Sequence, residues 1–281
     1  MEFRRGPGAS DPWWGAGAKP LPGSGAAPRL QRLAMLLLLE ALLLHPAYAA
    51  RVVSLNLCTD EFLLLLAPEQ AVAVSFLANE PSMSVVAGVA RHVPQVRADA
   101  EAVLDLHPDL VLAGPYGAQT TLALLERRGT RVERLAMPQD FAAIRAETRR
   151  AAALLGVPAR GEALLTDMQA RLDAVRAPVV RARAVFLQAR GYAAGPGSLA
   201  DAVLRAAGLA DAGAGGQPGL EALVMHPPDL LVTATAPDFP SLGTDLLRHP
   251  ALKQIPRREV APALVLCGGP WTAGAVAALA Q

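Results

Sequence analysis

Two cysteines in 281 residues, Cys58 and Cys267, are too few for a disulfide scaffold, so stability has to come from a packed core. Aromatic residues are equally sparse at 4%, and beyond Tyr48 only Tyr116, Tyr192 and Trp271 remain of the tyrosines and tryptophans. Charge of one sign is missing too. With 26 basic against 25 acidic residues, the chain has no general field for nucleic acid or an anionic membrane. The longest apolar run, Leu33 to Leu44, has twelve residues and includes Glu40. A span needs roughly 18 or more apolar residues, which excludes a permanent anchor there.

Chemical signatures are also absent. His92, His107, His226 and His249 are scattered without an HxxxH or CxxC pair, so no bare-metal site is expected. No GxSxG elbow occurs, and "GPGS" at Gly195 to Ser198 lacks the lysine of a nucleotide-binding loop. That glycine-rich turn reads as a helix start, with Ser198 and Asp201 as a rough capping pair. Cys58, Asp60 and a distant histidine can be imagined as a hydrolytic set, but nothing in the sequence positions them. The expectation is a protein without catalytic residues, metal ligands or a cofactor.

What is present begins with an export leader. Arg29 and Arg32 precede the apolar run and "AYA", Ala47 to Ala49, follows it, which predicts residues 1–49 as a leader cleaved near Ala49. From Arg51 onward, short β-branched runs alternate with longer helical stretches, the pattern of α/β units around parallel sheets. Strands are predicted at Arg51 to Leu55, Ala71 to Phe76, Asp109 to Gly114, Arg131 to Ala136, Arg183 to Gln188, Asp229 to Ala234 and Ala263 to Gly268. Between them, Phe141 to Leu155 and Pro158 to Arg176 read as wholly helical, with Leu164, Met168, Leu172 and Val175 on one face and Pro178 as the stop. The organisation expected is a lobe over residues 50–140, a helical segment over 141–178 that includes a rigid interlobe helix, and a second lobe over 179–281.

A repeat supports two lobes built alike. "EAVLDLHPDLVL" at Glu101 to Leu112 returns without a gap as "EALVMHPPDLLV" at Glu221 to Val232, with Asp109 and Asp229 in matching places. Each copy predicts a short helix, a Pro-Asp turn whose aspartate bonds backbone donors, and an apolar strand.

These segments, with the opening "VVSLNLCTDEFLLLLAPEQAVAVS", the "GPGSLADAVLRAAGL" of the second half and the helical middle, resemble the periplasmic binding proteins of ABC importers for vitamin B12 and iron-siderophores. The resemblance covers nearly all of the chain from Arg51 to Gln281. It implies two α/β lobes joined by a rigid helix, a metal complex held between them, either a ferric siderophore or a cobalamin-type corrinoid, and delivery to an ABC permease dimer with its ATPase. Heme or another chelated metal is the alternative ligand within transport. A two-lobed, chelatase-like enzyme is the competitor from another class, and the export leader argues against it. The resemblance also implies a monomer and a surface glutamate on each lobe that docks the permease; Glu101 and Glu221 are the matching positions. A first-turn glutamate that merely complements its helix dipole is the plainer reading.

Ligands collect beyond the carboxyl ends of parallel strands. There the sequence offers Phe76, Tyr116, Tyr192 and Trp271 as rings, and Asn56, Gln188 and Arg190 as polar anchors. Packing roles compete with ligand contact for every ring, and for Phe76 packing is the stronger reading. Cys58 and Cys267 fall in the same region and could be inert, bridged or facing the ligand; a covalent clamp between lobes would oppose opening, which argues against a bridge.

Overall fold

The computed structural model describes residues 50–175, 182–235 and 245–280. The leader predicted over residues 1–49 lies outside them, as do Arg176 and Pro178 at the predicted end of the long helix.

The first sheet begins with β1 (Val52–Ser54), every residue of which is buried. The chain then enters α1 (Leu57–Leu66), started by Asn56, whose side-chain oxygen accepts the Cys58 backbone N–H at 2.9 Å. Next come β2 (Ala71–Ala73), α2 (Ala87–Ala90), α3 (Ala100–Asp105), β3 (Leu110–Ala113), α4 (Gln119–Arg127) and β4 (Val132–Arg134). All pairings are parallel and the strand order is β2-β1-β3-β4. Helices on both faces bury a run such as Leu110 to Ala113 completely, which is why that strand is apolar throughout instead of alternating.

A helical hairpin follows, α5 (Phe141–Leu154) and α6 (Pro158–Asp173). Proline at the first position of α6 costs no hydrogen bond, because that N–H has no partner in a helix anyway. The two helices approach closely where Gly161 meets Ala152: a Cβ on Gly161 would lie 2.6 Å from that of Ala152. Only glycine permits this contact without a shift.

The second lobe contains β5 (Arg183–Leu187), α7 (Leu199–Ala206), β6 (Ala210–Asp211), α8 (Gly219–Met225), β7 (Leu230–Ala234) and β8 (Arg257–Val260), and α9 (Ala273–Leu279) closes the described chain. Its order is β6-β5-β7-β8, again parallel. Strand for strand the two sheets share one topology, and the repeated segment forms α3–β3 in one lobe and α8–β7 in the other.

The repeat's aspartate has the same task in both lobes. Asp109 Oδ2 accepts the backbone N–H of Arg51 at 2.8 Å, and Asp229 Oδ2 accepts that of Arg183 at 2.7 Å. Each therefore pins the start of the central strand beside it, where the sequence suggested only a local turn. Two short strands, β6 and β8, escaped the sequence pattern, and Ala263 to Gly268 is no strand. Pro262–Leu264 forms a 3-10 turn, since Pro262 supplies no N–H to a ladder. The edge strand is instead the charged β8, whose first three residues are exposed.

The two helices read from the sequence between the lobes are both present, and both take part in joining them. Ala151 and Ala152, late in α5, belong to the core of the first lobe, while Phe141 at its start packs on the second. On α6 the sense reverses: Leu164 packs on the first lobe, and Leu172 on the second. Leu165 and Met168 fill the middle with Ile144, Leu199 and Ala273. The described residues of both lobes accordingly pack as one unit.

Candidate functional site

The carboxyl ends of both sheets open towards a cavity of about 270 Å³ between the lobes. One wall comes from Met137, Pro138 and Gln139, just after β4. Gln188, Tyr192 and Ser198, between β5 and α7, form the opposite wall, and Val265, Leu266 and Gly268 of the C-terminal segment close the third side. This is the crevice position that parallel sheets favour for ligands.

Backbone geometry aims Tyr192 at this space. The Gln188 N–H donates to the Tyr192 carbonyl at 2.7 Å and Leu187 bridges Ala193, folding residues 188–192 into a tight loop. The loop requires φ values of +62° at Arg190 and +73° at Gly191. For arginine this left-handed conformation is uncommon, and strain of this kind gathers at binding sites. Tyr192 remains 46% exposed, and the Arg190 side chain is also open to solvent.

The predicted residues divide into groups. Gln188 and Tyr192 line the interlobe cavity. Phe76, for which packing was the stronger reading, is 65% exposed and walls a second hollow, of about 640 Å³, on the first lobe. Tyr116 is the most open ring, at 78%, in the loop after β3. Asn56 is engaged as the cap of α1 and abuts Gly114.

Trp271 departs from expectation. It does not follow a strand, and its indole packs on Phe62, 5.3 Å away between ring centres, at the core of the first lobe. Its Nε1 is buried without a hydrogen-bond partner. Although Trp271 lies in the last stretch of the second lobe's sequence, it therefore wedges the lobes together.

The cysteines need a second correction. Cys58 and Cys267 form a disulfide, with Cα atoms 5.3 Å apart and 209 residues between them in sequence. Neither offers a thiol to a ligand. The bridge joins the start of α1 to the C-terminal segment, and the adjoining Gly268 sits against Pro138 so closely that a Cβ would lie 2.7 Å from the Pro138 carbonyl oxygen. The objection that a clamp would prevent opening loses force where bridge, Trp271 and helical hairpin all hold the lobes.

No sequence pattern pointed to Met137, which is 40% exposed on the cavity wall, and the burial of the two carboxyl groups of α1 was not foreseen either, although Asp60 figures beside Cys58 in the sequence reading. Asp60 and Glu61 are both fully buried. Burial pushes Asp60 up to about 7, against opposing hydrogen bonds from the Ser54 and Ser75 hydroxyls and the Ser75 N–H. Ser75 Oγ lies 2.5 Å from one oxygen, and its N–H reaches the other at 3.2 Å. Glu61 is pushed up to about 8, by burial first and then by the adjacent Asp60; the Val85 N–H opposes this. The available clue was context: "TDEF" runs directly into Leu63 to Leu66, a helix apolar on all sides, and such helices are buried whole.

Glu101 and Glu221, untouched by these networks, are exposed in the first turns of α3 and α8. Among the described residues, no cluster of three or more histidine, cysteine or acidic side chains could hold a metal ion, and no helix is long and apolar enough to cross a membrane.

Two parallel-sheet lobes, braced by helices and facing each other across a crevice at their strand ends, define a bilobal α/β binding protein. The model for the family described as periplasmic binding protein matches residues 52–256. The chain belongs to that family, whose members carry small ligands to the permease and ATPase of ABC importers in the periplasm. Its fold is similar to that of the apo periplasmic heme-binding protein RhuT from Roseiflexus sp. RS-1, at 25% identity and a TM-score of 0.67, covering 83% of this chain and 98% of that one. A periplasmic heme-binding protein from Pseudomonas aeruginosa is 26% identical with a TM-score of 0.67, over 82% of this chain and 91% of that one. Periplasmic heme-binding protein BhuT, in complex with two hemes, gives 25% identity and a TM-score of 0.65 over 82% and 96%. Among curated proteins, none matches the sequence.

Proposed function

We propose that this protein captures heme, or a closely related flat metal complex, between its lobes and delivers it to an ABC permease. The observation that carries this reading is the interlobe cavity, where an exposed tyrosine and an exposed methionine project from opposite lobes among apolar neighbours. A phenolate oxygen and a thioether sulfur are both known axial donors to heme iron. Apolar walls with few polar groups suit a largely hydrophobic macrocycle. Three similar structures of heme-binding proteins support heme over the siderophore or corrinoid expected from the sequence.

The test is a titration of the protein, freed of its leader, with hemin, cyanocobalamin and a ferric siderophore. Hemin should shift its Soret band with saturable, one-to-one binding, and Tyr192→Phe should move the band and weaken affinity. Saturable binding of cobalamin or siderophore with no response to hemin would overturn the assignment.

Delivery would use Glu101 and Glu221. Exposed carboxylates at rigid helix starts, one per lobe, can take bidentate arginine bonds and orient the docking. Replacing both by alanine should abolish uptake while ligand affinity stays unchanged; normal uptake by the double variant would remove the assignment. In this reading the protein is exported by its leader and works as a monomer, without catalysing a reaction.

A further inference from the structure

The hollow of about 640 Å³ on the first lobe is separate from the interlobe cavity and larger than it. Its walls are Leu55, Ser75, Phe76 and the segment from Gln95 to Ala98. Leu55 and Ser75 follow β1 and β2, so the hollow opens at the same ligand-facing end of the sheet, by the β2 edge, whereas Met137 to Gln139 lie beyond β4 at the other edge. Four strands spaced about 4.8 Å apart put these edges about 14 Å from each other.

The segment that carries Arg97 is held like an extra strand. Val74 donates to the Pro94 carbonyl at 3.0 Å, and the Val96 N–H returns a bond to Val74 at 2.9 Å. Val96 is buried beneath, while Arg97 is exposed. Among the described residues its guanidinium has neither a carboxylate nor a carbonyl partner, although many other arginines of the chain are tied to one. Phe76, beside it, leaves two thirds of its surface open. An open ring next to an unpaired, always-charged guanidinium, with the Gln95 amide adjacent, fits a flat apolar body that ends in an anion.

We infer that the Phe76–Arg97 hollow seats the carboxylate-bearing edge of the ligand, with Arg97 selecting acids over neutral analogues. The inference rests on the proposed tetrapyrrole reading and goes beyond it by naming where the ligand's acidic groups lie. Guanidinium and carboxylate match in planar, two-point geometry, and the surrounding apolar surface strengthens the bond.

The experiment compares hemin with hemin dimethyl ester, which keeps the macrocycle and iron and loses both charges. Affinities of the wild type, Arg97→Gln, Arg97→Lys and Phe76→Ser are measured in one detergent-containing buffer, with thermal melts to confirm folding. Wild type should prefer the diacid by about 10- to 100-fold, the range of one hydrogen bond to a charged group. Arg97→Gln should bring the diacid down to the level of the ester and leave ester binding unchanged, with Arg97→Lys in between. Phe76→Ser should weaken both ligands alike. If the wild type binds both and Arg97→Gln leaves the preference intact, the inference fails and the heme reading survives. If neither porphyrin binds, both fail.

Discussion

The helix that follows the central strand shows how differently the two lobes solve one problem. In the first lobe, α1 carries Asp60 and Glu61, and burial raises both from the usual carboxylate range to about 7 and about 8, where each takes up a proton as pH falls. In the second, α7 carries Asp201, only 4% exposed, which accepts from Arg205 Nε at 2.7 Å and from the Gly197 N–H at 2.8 Å. Arg205 itself remains mostly in solvent. A buried carboxyl group requires a proton or a paired, hydrogen-bonded charge, and the repeat shares topology without sharing the choice. Sensitivity to pH should therefore be concentrated in the first lobe.

Breaking what joins the lobes should have the largest effect. Replacing Cys58 and Cys267 by serine opens a loop of 209 residues and should cost about 2–5 kcal/mol, seen as a lower melting temperature that reductant reproduces in the wild type. Equal melting in both states would remove the bridge from the account of rigidity.

The acid comparison follows in size. Asp60 and Glu61 titrate in the fold at about 7 and about 8, above their ordinary 3.8 and 4.5. The folded state therefore holds more protons, and the stability they contribute is full below the ordinary values and is lost as pH rises through 7 to 8. Each tenfold difference in proton affinity between the folded and unfolded chain is worth roughly 1.4 kcal/mol, so urea unfolding between pH 5 and pH 9 should reveal a loss of a few kcal/mol. Asp60→Asn with Glu61→Gln should flatten that slope. Asp201→Asn should leave the slope in place and cost about 1–2 kcal/mol through the weakened bond to Arg205. A steep slope that persists in the double variant would contradict the assignment.

The smallest effect concerns what the lobes share. Asp109→Ala and Asp229→Ala each remove one backbone contact at a strand start and should cost about 1 kcal/mol apiece. Unequal losses would mean that the repeat's symmetry is topological only.

Much of this architecture was legible because it rests on local pattern. Short β-branched or apolar runs marked six of the eight described strands, and the returned Glu…Pro-Asp segment located α3–β3 and α8–β7 from sequence alone. Strand β8 was hidden because its Arg257–Val260 stretch is charged and owes its place to β7, a pairing that no local window contains. The disulfide and the Trp271 wedge are likewise long-range: each depends on the C-terminal segment crossing back to α1. That Gln188 and Tyr192 line the interlobe cavity was legible from their position after a strand, but Met137 and Arg97 have ordinary neighbours. They gain meaning only once two loops distant in sequence share a cavity.

The most direct measurement is a crystal structure of the protein grown with hemin. The account predicts the macrocycle between Met137 to Gln139 on one side and Gln188 to Tyr192 on the other, with a propionate at Arg97. Hemin found on the outer face of the helical hairpin, in the shallow groove beside Arg145 and Glu162, with the interlobe cavity empty of it, would contradict the central claim.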